Sequence, residues 1–235
     1  MIRRAVLLLG ITGSMLAAST GCIATNRPAV GATTGRVPVL FIHGFTMQNT
    51  AMWTVAKPIF LADGYRSGDL TEYNYNSTYE GAEASARKLA PVVERLAAQS
   101  PNGKVDIVAH SEGNLVLQTC MFFYGCKNKI DHWVNLAGAQ NGTMLASAVI
   151  VGGGGAADMN PLSLLVGRLN AAEAREIPAQ NVNSIIFYTL TDGVIIPGDL
   201  CKEKWAKNVP FIGTHLTVYA DPIVIKQGLD FIKGR

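Results

Sequence analysis

Apolar positions along this 235-residue chain change their period several times, and each change marks an element. Val37-Pro-Val-Leu-Phe-Ile42 is a continuous apolar run, the pattern of a strand buried on both faces, with Pro38 at its start or at a sheet edge. Ala51 to Leu61 is apolar enough for a helix that Pro58 restricts or kinks, and Tyr65 to Tyr75 reads as a strand and loop. From Glu80 to Gln99 the period lengthens: Ala82, Ala86, Leu89, Val93, Leu96 and Ala97 fall on one helical stripe, closed by Pro101-Asn-Gly. Val105, Ile107 and Val108 return to a buried strand, and from Leu115 the helical spacing resumes. Asp131 to Gly138, Ser184 to Thr189 and Asn208 to Ile212 are further strands, Pro161 to Asn170 a short helix, and Pro222 to Ile232 a closing helix. Met144 to Gln180 is apolar and glycine-rich, Gly152 to Gly155 included, without a strand pattern; it lines a site or simply packs. Strands alternating with helices over this length predict one α/β domain with a full core.

Composition narrows the picture at the N-terminus. Residues 1–22 open with Ile-Arg-Arg, run apolar from Val6 to Leu16 and end in Ala17-Ala-Ser-Thr-Gly-Cys22, the form of an export signal. Gly10, Gly13 and Ser14 interrupt a run already short for a membrane span. Cys22 after Gly21 also fits a bacterial lipobox, with Ser19 where that pattern prefers Leu, so attachment to a membrane would come only from lipidated Cys22. Residues 23–36 form a polar arm and 37–235 the domain. Net charge is +3, and removing Arg3 and Arg4 with the signal leaves 3 − 2 = +1, so nothing in the charge suggests a nucleic-acid partner and none is expected. Export permits disulfides, and Cys120 with Cys126 is the expected pair, provided that Gly125 ends the helix between them. Neither repeats nor zinc-type cysteine clusters occur, and a monomer without cofactor or metal is expected.

Chemistry gathers around Ala109-His-Ser-Glu-Gly113, placed between a strand and a helix. Small residues two before and two after the serine are the pattern of a nucleophile elbow, where the serine takes a strained turn and projects from the sheet. Ser111 is therefore the candidate nucleophile, and it requires a histidine base oriented by an acid. Of the chain's 4 histidines, His43 lies in a glycine turn, His110 adjoins the serine and should point away, and His132 is at the wrong end of its strand. His215, just beyond the last strand, remains. The acid should leave the preceding strand, which selects Asp192; Asp199, beyond Pro197-Gly198, is the alternative and is expected at the surface. Oxyanion donors are expected from the backbone N–H groups of Glu112 and Phe45, with Thr46 the alternative to Phe45.

Taken together, Pro38-Val-Leu-Phe-Ile-His-Gly44, Ala109-His-Ser-Glu-Gly113, Asn135-Leu-Ala-Gly138 with Gly142-Thr143, Asp192-Gly-Val194 and Gly213-Thr-His215 resemble the class 2 lipase group of small secreted α/β-hydrolases. The resemblance implies a minimal α/β-hydrolase fold: a mostly parallel central sheet, helices on both faces and no large cap. It implies a serine lipase or esterase that cleaves carboxylic esters through an acyl-enzyme, on a small-molecule or lipid ester, without cofactor. Glu112 and Asn114 depart from the apolar or small residues often found there, and a carboxylate beside the nucleophile predicts a more polar mouth. Two alternatives share the sequence: an acyltransferase or amidase with the same triad, and an inactive binding protein on the same fold.

Overall fold

A computed structural model describes residues 34–48, 50–148, 154–175 and 182–235. The export segment with Cys22, residues 23–33 of the arm and Gly152 and Gly153 lie outside them. Among the described residues six strands form one sheet: β1 (Val39–Ile42), β2 (Leu70–Tyr73), β3 (Val105–His110), β4 (Ile130–Leu136), β5 (Asn183–Tyr188) and β6 (Lys207–Pro210), in the order β2-β1-β3-β4-β5-β6. All neighbouring pairs are parallel, so each strand returns through a crossover. The central strands β1 and β3 are buried along their whole length, which the unbroken apolar runs anticipate. The exposed edge falls to β6, whose Pro210 lacks the N–H a further strand would use.

The helices are α1 (Ala56–Ala62), α2 (Ala82–Ala98), α3 (Glu112–Phe123), the short α4 (Met144–Ala148) and α5 (Gly155–Asp158), α6 (Leu164–Arg175) and α7 (Pro222–Ile232). α1 packs with α7, and α2 packs with α3, which also meets α6. That division follows from right-handed crossovers: the chain steps outward from β1 to β2, then back across β1 to β3 and onward, so the helices change face at that reversal. Pro58 is accommodated in the first turn of α1, where an N–H has no partner to lose. α2 buries Ala82, Ala86, Leu89, Val93, Leu96 and Ala97, the predicted stripe. α7 starts at Pro222, with the Asp221 side chain accepting from the N–H groups of Ile223 and Val224.

Segment boundaries differ from the sequence reading where polar residues set them. The first strand begins at Val39 because Pro38 gives only its carbonyl, to the Asp106 N–H. The predicted 161–170 helix starts later, at Leu164, after Ser163 has turned its hydroxyl back to the Asp158 carbonyl. α3 stops at Phe123; Gly125 takes φ 77°, the Cys126 N–H returns to the Cys120 carbonyl, and the two cysteines form the expected disulfide with Cα atoms 5.4 Å apart. Cys201 is a buried free thiol. Among the described residues no helix is long and apolar enough to cross a membrane, and no cap domain covers the sheet.

Candidate active site

The sheet order reverses between β1 and β3, and ligands of open α/β sheets collect outside the carboxyl ends of strands at such a reversal. Ile42 pairs with Ala109, so the exits His43-Gly44 and His110-Ser111 leave the sheet side by side. How close they come is shown by Gly44: a Cβ there would lie 2.8 Å from the Ser111 Cβ and 2.8 Å from His110 Nδ1. Gly113 does the same work as the second residue of α3, where a Cβ would meet the His43 carbonyl at 2.6 Å. These are the close approaches that the small residues of the elbow permit.

Ser111 caps α3 at φ 53°, ψ −125°, a conformation costing a non-glycine residue about 1–3 kcal/mol. Its main chain is held there on three sides. Its N–H donates to the Leu136 carbonyl at 3.1 Å, and its carbonyl accepts from the N–H groups of Asn114 and Ala139. Asn114, a departure from the family pattern, also donates its side-chain amide to the Ala109 carbonyl at 3.0 Å and accepts from Trp133 Nε1 at 2.8 Å. The first turn of α3 is thereby stitched to both β3 and β4.

His215 and Asp192 arrive from the exits of β6 and β5. Ser111 Oγ lies 2.8 Å from His215 Nε2, and His215 Nδ1 lies 2.9 Å and 3.1 Å from the two Asp192 carboxylate oxygens. A carboxylate can only accept, so Nδ1 carries the proton and Nε2 is free to take one from the serine. All three side chains are buried. The Asp192 carboxylate is fixed in turn by the N–H groups of Val194, 3.1 Å, and Ile195, 2.6 Å, and its main-chain carbonyl accepts the His215 N–H at 3.0 Å. Asp199 is exposed and lies 3.9 Å from Lys202. His132 sits at the opposite end of the sheet, hydrogen-bonded to Asp106.

Of the two candidate donors after Gly44, the Thr46 N–H is already engaged with Ser77 Oγ at 2.8 Å, which leaves Phe45 as the candidate. His43 holds this turn from behind. Its Nε2 accepts the Tyr75 N–H at 3.2 Å, its Nδ1–H donates to the Gly44 carbonyl at 2.7 Å, and its ring stacks on Tyr75. Burial depresses the His43 pKa, keeping the ring neutral.

Above the serine opens a cavity of about 350 Å³, walled by Phe45, Met47, Leu145, Ala156, Met159 and Leu216. Glu112 does not shape it as the sequence suggested. Its side chain is fully buried under Gly155 of α5, both carboxyl oxygens lack a partner, and burial, reinforced by Asp158, pushes its pKa well above the usual carboxylate range. Since only the Glu112 backbone faces the site, the expected polar mouth is replaced by an apolar one. Among the described residues no Asp, Glu, Lys or Arg side chain lines it. The 144–180 segment lines the cavity, through Leu145, Ala146, Ala156 and Met159.

Two contributors escaped the sequence reading. His110 does not point away; it lines the cavity and donates Nε2–H to the His215 carbonyl at 3.0 Å. Thr143 joins three loops, donating its N–H to the Met159 carbonyl and its hydroxyl to the Val194 carbonyl while accepting from the Ile196 N–H. The Gly142-Thr143 dipeptide was visible in the sequence, but its hydroxyl's partners, 51 and 53 residues away, carry no local signal.

An all-parallel sheet with helices on both faces, a serine at the β3-to-α3 turn and loops converging at the strand exits define an α/β-hydrolase fold. The chain belongs to the class 2 lipase family, whose model matches residues 36–157, just over half of it. Comparison with curated proteins found no match. Among solved structures, the mature form of a lipase from Bacillus licheniformis is similar with TM-score 0.69 at 11% identity, over 88% of this chain and 96% of that one. Aspergillus fumigatus lipase B gives TM-score 0.70 at 13% identity over 89% of this chain, which spans only 55% of that protein. A thermophilic esterase from Thermogutta terrifontis gives TM-score 0.57 at 18% identity, covering 87% and 92%.

Proposed function

We propose that this chain is an exported serine hydrolase that cleaves carboxylic esters through Ser111, His215 and Asp192. One observation carries the reading: the unbroken hydrogen-bond series from Ser111 Oγ through the His215 imidazole to the Asp192 carboxylate. In it, His215 Nε2 takes the serine proton as Oγ attacks the ester carbonyl, and Asp192 stabilises the imidazolium that forms. The carbonyl oxygen becomes an oxyanion between the N–H groups of Phe45 and Glu112. As the intermediate collapses, His215 passes its proton to the leaving alcohol; water, deprotonated by the same imidazole, then cleaves the acyl-enzyme and returns the serine. No metal or cofactor enters these steps.

An apolar cavity with no charged side chain in its lining favours an apolar acyl group, so the reading leans toward a lipase or an esterase of hydrophobic esters. Leu145 and Leu216 on the cavity wall, with Met144 and Ile196 beside it, expose apolar surface suited to such a substrate. With no cap domain among the described residues, turnover of soluble ester should rise smoothly with concentration, whereas a jump where micelles form would make residues 144–180 a moving cover. Residues 1–22 serve as the export signal, 23–36 as an arm and 37–235 as the catalytic domain; the Cys120–Cys126 disulfide suits an oxidising compartment.

A fluorophosphonate probe tests the reading. It should label one residue, Ser111, stoichiometrically, with loss of p-nitrophenyl ester hydrolysis. An unlabelled, folded protein would instead be a binding module, and transfer to an added alcohol or amine in preference to water would make it an acyltransferase.

A further inference from the structure

The last residue of β3, His110, lies between the two loops on which the proposed chemistry depends. Toward the β6 exit, its Nε2 is 3.0 Å from the His215 carbonyl oxygen and its ring centroid 4.7 Å from that of His215, with Tyr219 closing edge-on at 4.9 Å. Toward the β1 exit, its Nδ1 faces Gly44 so closely that a Cβ there would lie 2.8 Å away. The ring is almost wholly buried. A carbonyl can only accept, so the proton is on Nε2, and Nδ1 has no hydrogen-bond partner.

The His215 main chain is therefore pinned at both its polar groups: the N–H by the Asp192 carbonyl and the C=O by the His110 ring. Without the second contact, the His215 peptide could pivot about the first. The imidazole would then leave the 2.8 Å approach to Ser111 Oγ that proton transfer requires. Burial also depresses the His110 pKa far below its ordinary value, so this neighbour stays uncharged while His215 becomes a cation.

We propose that His110 is a positioning residue that sets the His215 imidazole through its carbonyl and ring contacts, an inference resting on the triad reading above. The test turns on where an amide can place its donor. In His110→Gln the side-chain NH₂ reaches the place of Nε2 and keeps the bond to the His215 carbonyl; in the shorter His110→Asn it stops near Nδ1 and loses it. Misplacing a catalytic group by about 1 Å costs about 10²-fold, so His110→Asn should lower kcat by about 30- to 100-fold with KM changed less than about threefold. His110→Gln should recover most of that loss, and both proteins should keep the wild-type circular dichroism spectrum.

Asn and Gln variants with equal kcat, or a loss expressed mainly in KM, would overturn the proposal; the second would mean that His110 contacts substrate instead. If Asn fails to fold, Gln decides, because a folded Gln variant as slow as 30-fold below wild type means that the donor is not what matters. Ser111→Ala, assayed alongside, separates the two claims. Activity surviving in it removes the triad reading, whereas a dead Ser111→Ala beside a wild-type His110→Asn removes only the positioning role.

Discussion

The sheet holds two histidine–aspartate pairs, one at each end, and by distance alone they are hard to tell apart. At the carboxyl end His215 Nδ1 lies 2.9 Å from Asp192 Oδ1; at the amino end His132 Nδ1 lies 2.8 Å from Asp106 Oδ1. Both aspartates are buried. The difference lies in what surrounds each pair. His215 presents its second nitrogen to a strained serine beneath an apolar cavity, and Asp192 is fixed by two backbone N–H groups. His132 is half-buried, its ring meets Phe231 edge-on, and its neighbours are the part-buried Asp131 and Lys104, with exposed Asn102 bonded to Asp131. A hydrogen-bonded His–Asp pair is thus a common structural unit, and strand exits, a nucleophile and a cavity turn one into a candidate catalyst.

Breaking each pair in turn should expose that difference at its largest. Ser111→Ala and His215→Ala should each lower ester turnover by about 10⁵- to 10⁶-fold, since nucleophile and base act as a unit, while His132→Ala should remain within about twofold of wild type. Steady-state hydrolysis of a short p-nitrophenyl ester measures all three, and a His132 variant as inactive as the His215 variant would reverse the assignment. The acids come next. Asp192→Asn should cost up to about 10⁴-fold because the amide no longer selects the right tautomer of His215. Asp106→Asn and the exposed Asp199→Asn should leave turnover nearly unchanged. A crippled Asp199 variant beside a normal Asp192 variant would move the acid to the other loop.

The comparison also marks what could be read in advance. Central strands and the α2 stripe were legible because burial on two faces and burial on one leave different periods, and Ser111 because its elbow requires small neighbours. His215 and Asp192 followed from chain order at strand exits. What stayed hidden were properties of packing between distant segments. Glu112 looked like a polar rim residue because sequence does not tell which way a side chain on the first turn of a helix points. Here it turns under Gly155, whose missing Cβ leaves the room it occupies. His110 looked inert for the same reason, since its partner carbonyl lies 105 residues away.

Glu112 sharpens the contrast between backbone and side chain within one residue. Its N–H is the proposed oxyanion donor, yet its carboxyl is buried without partners and its pKa is raised well above the normal value, first by burial and then by Asp158. In the unfolded chain the acid ionises near pH 4.5; burial in the folded protein makes it hold its proton to a higher pH. The folded state therefore loses about 1.4 kcal/mol per pH unit relative to the unfolded one above that point, until the folded pKa is reached. Glu112→Gln, neutral at every pH, should match wild-type stability near pH 4 and exceed it increasingly as pH rises above that, with turnover little altered. Urea unfolding at pH 4 and at pH 8 tests this, and a variant no more stable than wild type at pH 8 would show that the carboxyl ionises freely in the fold.

The smallest effect belongs to the amino-end pair, where the charged form is favoured rather than suppressed, although stability again falls with rising pH. The hydrogen bond to Asp106, reinforced by the nearby carboxylates, raises the His132 pKa above its ordinary 6.5 despite partial burial. A raised histidine stabilises the fold fully below the unfolded pKa, and that stabilisation fades as pH rises from there through the folded pKa. His132→Asn removes the protonation but keeps a donor near Asp106, its amide standing at the place of Nδ1. Wild type should therefore be the more stable of the two at pH 5.5, by less than about 1 kcal/mol because the ring is partly solvated, and the gap should close by about pH 8.5. Turnover, read at its optimum, should be the same in both proteins. A stability gap that widens with rising pH would mean that the pair is held as neutral imidazole with buried carboxylate, and a change in turnover would mean that the two ends of the sheet are coupled.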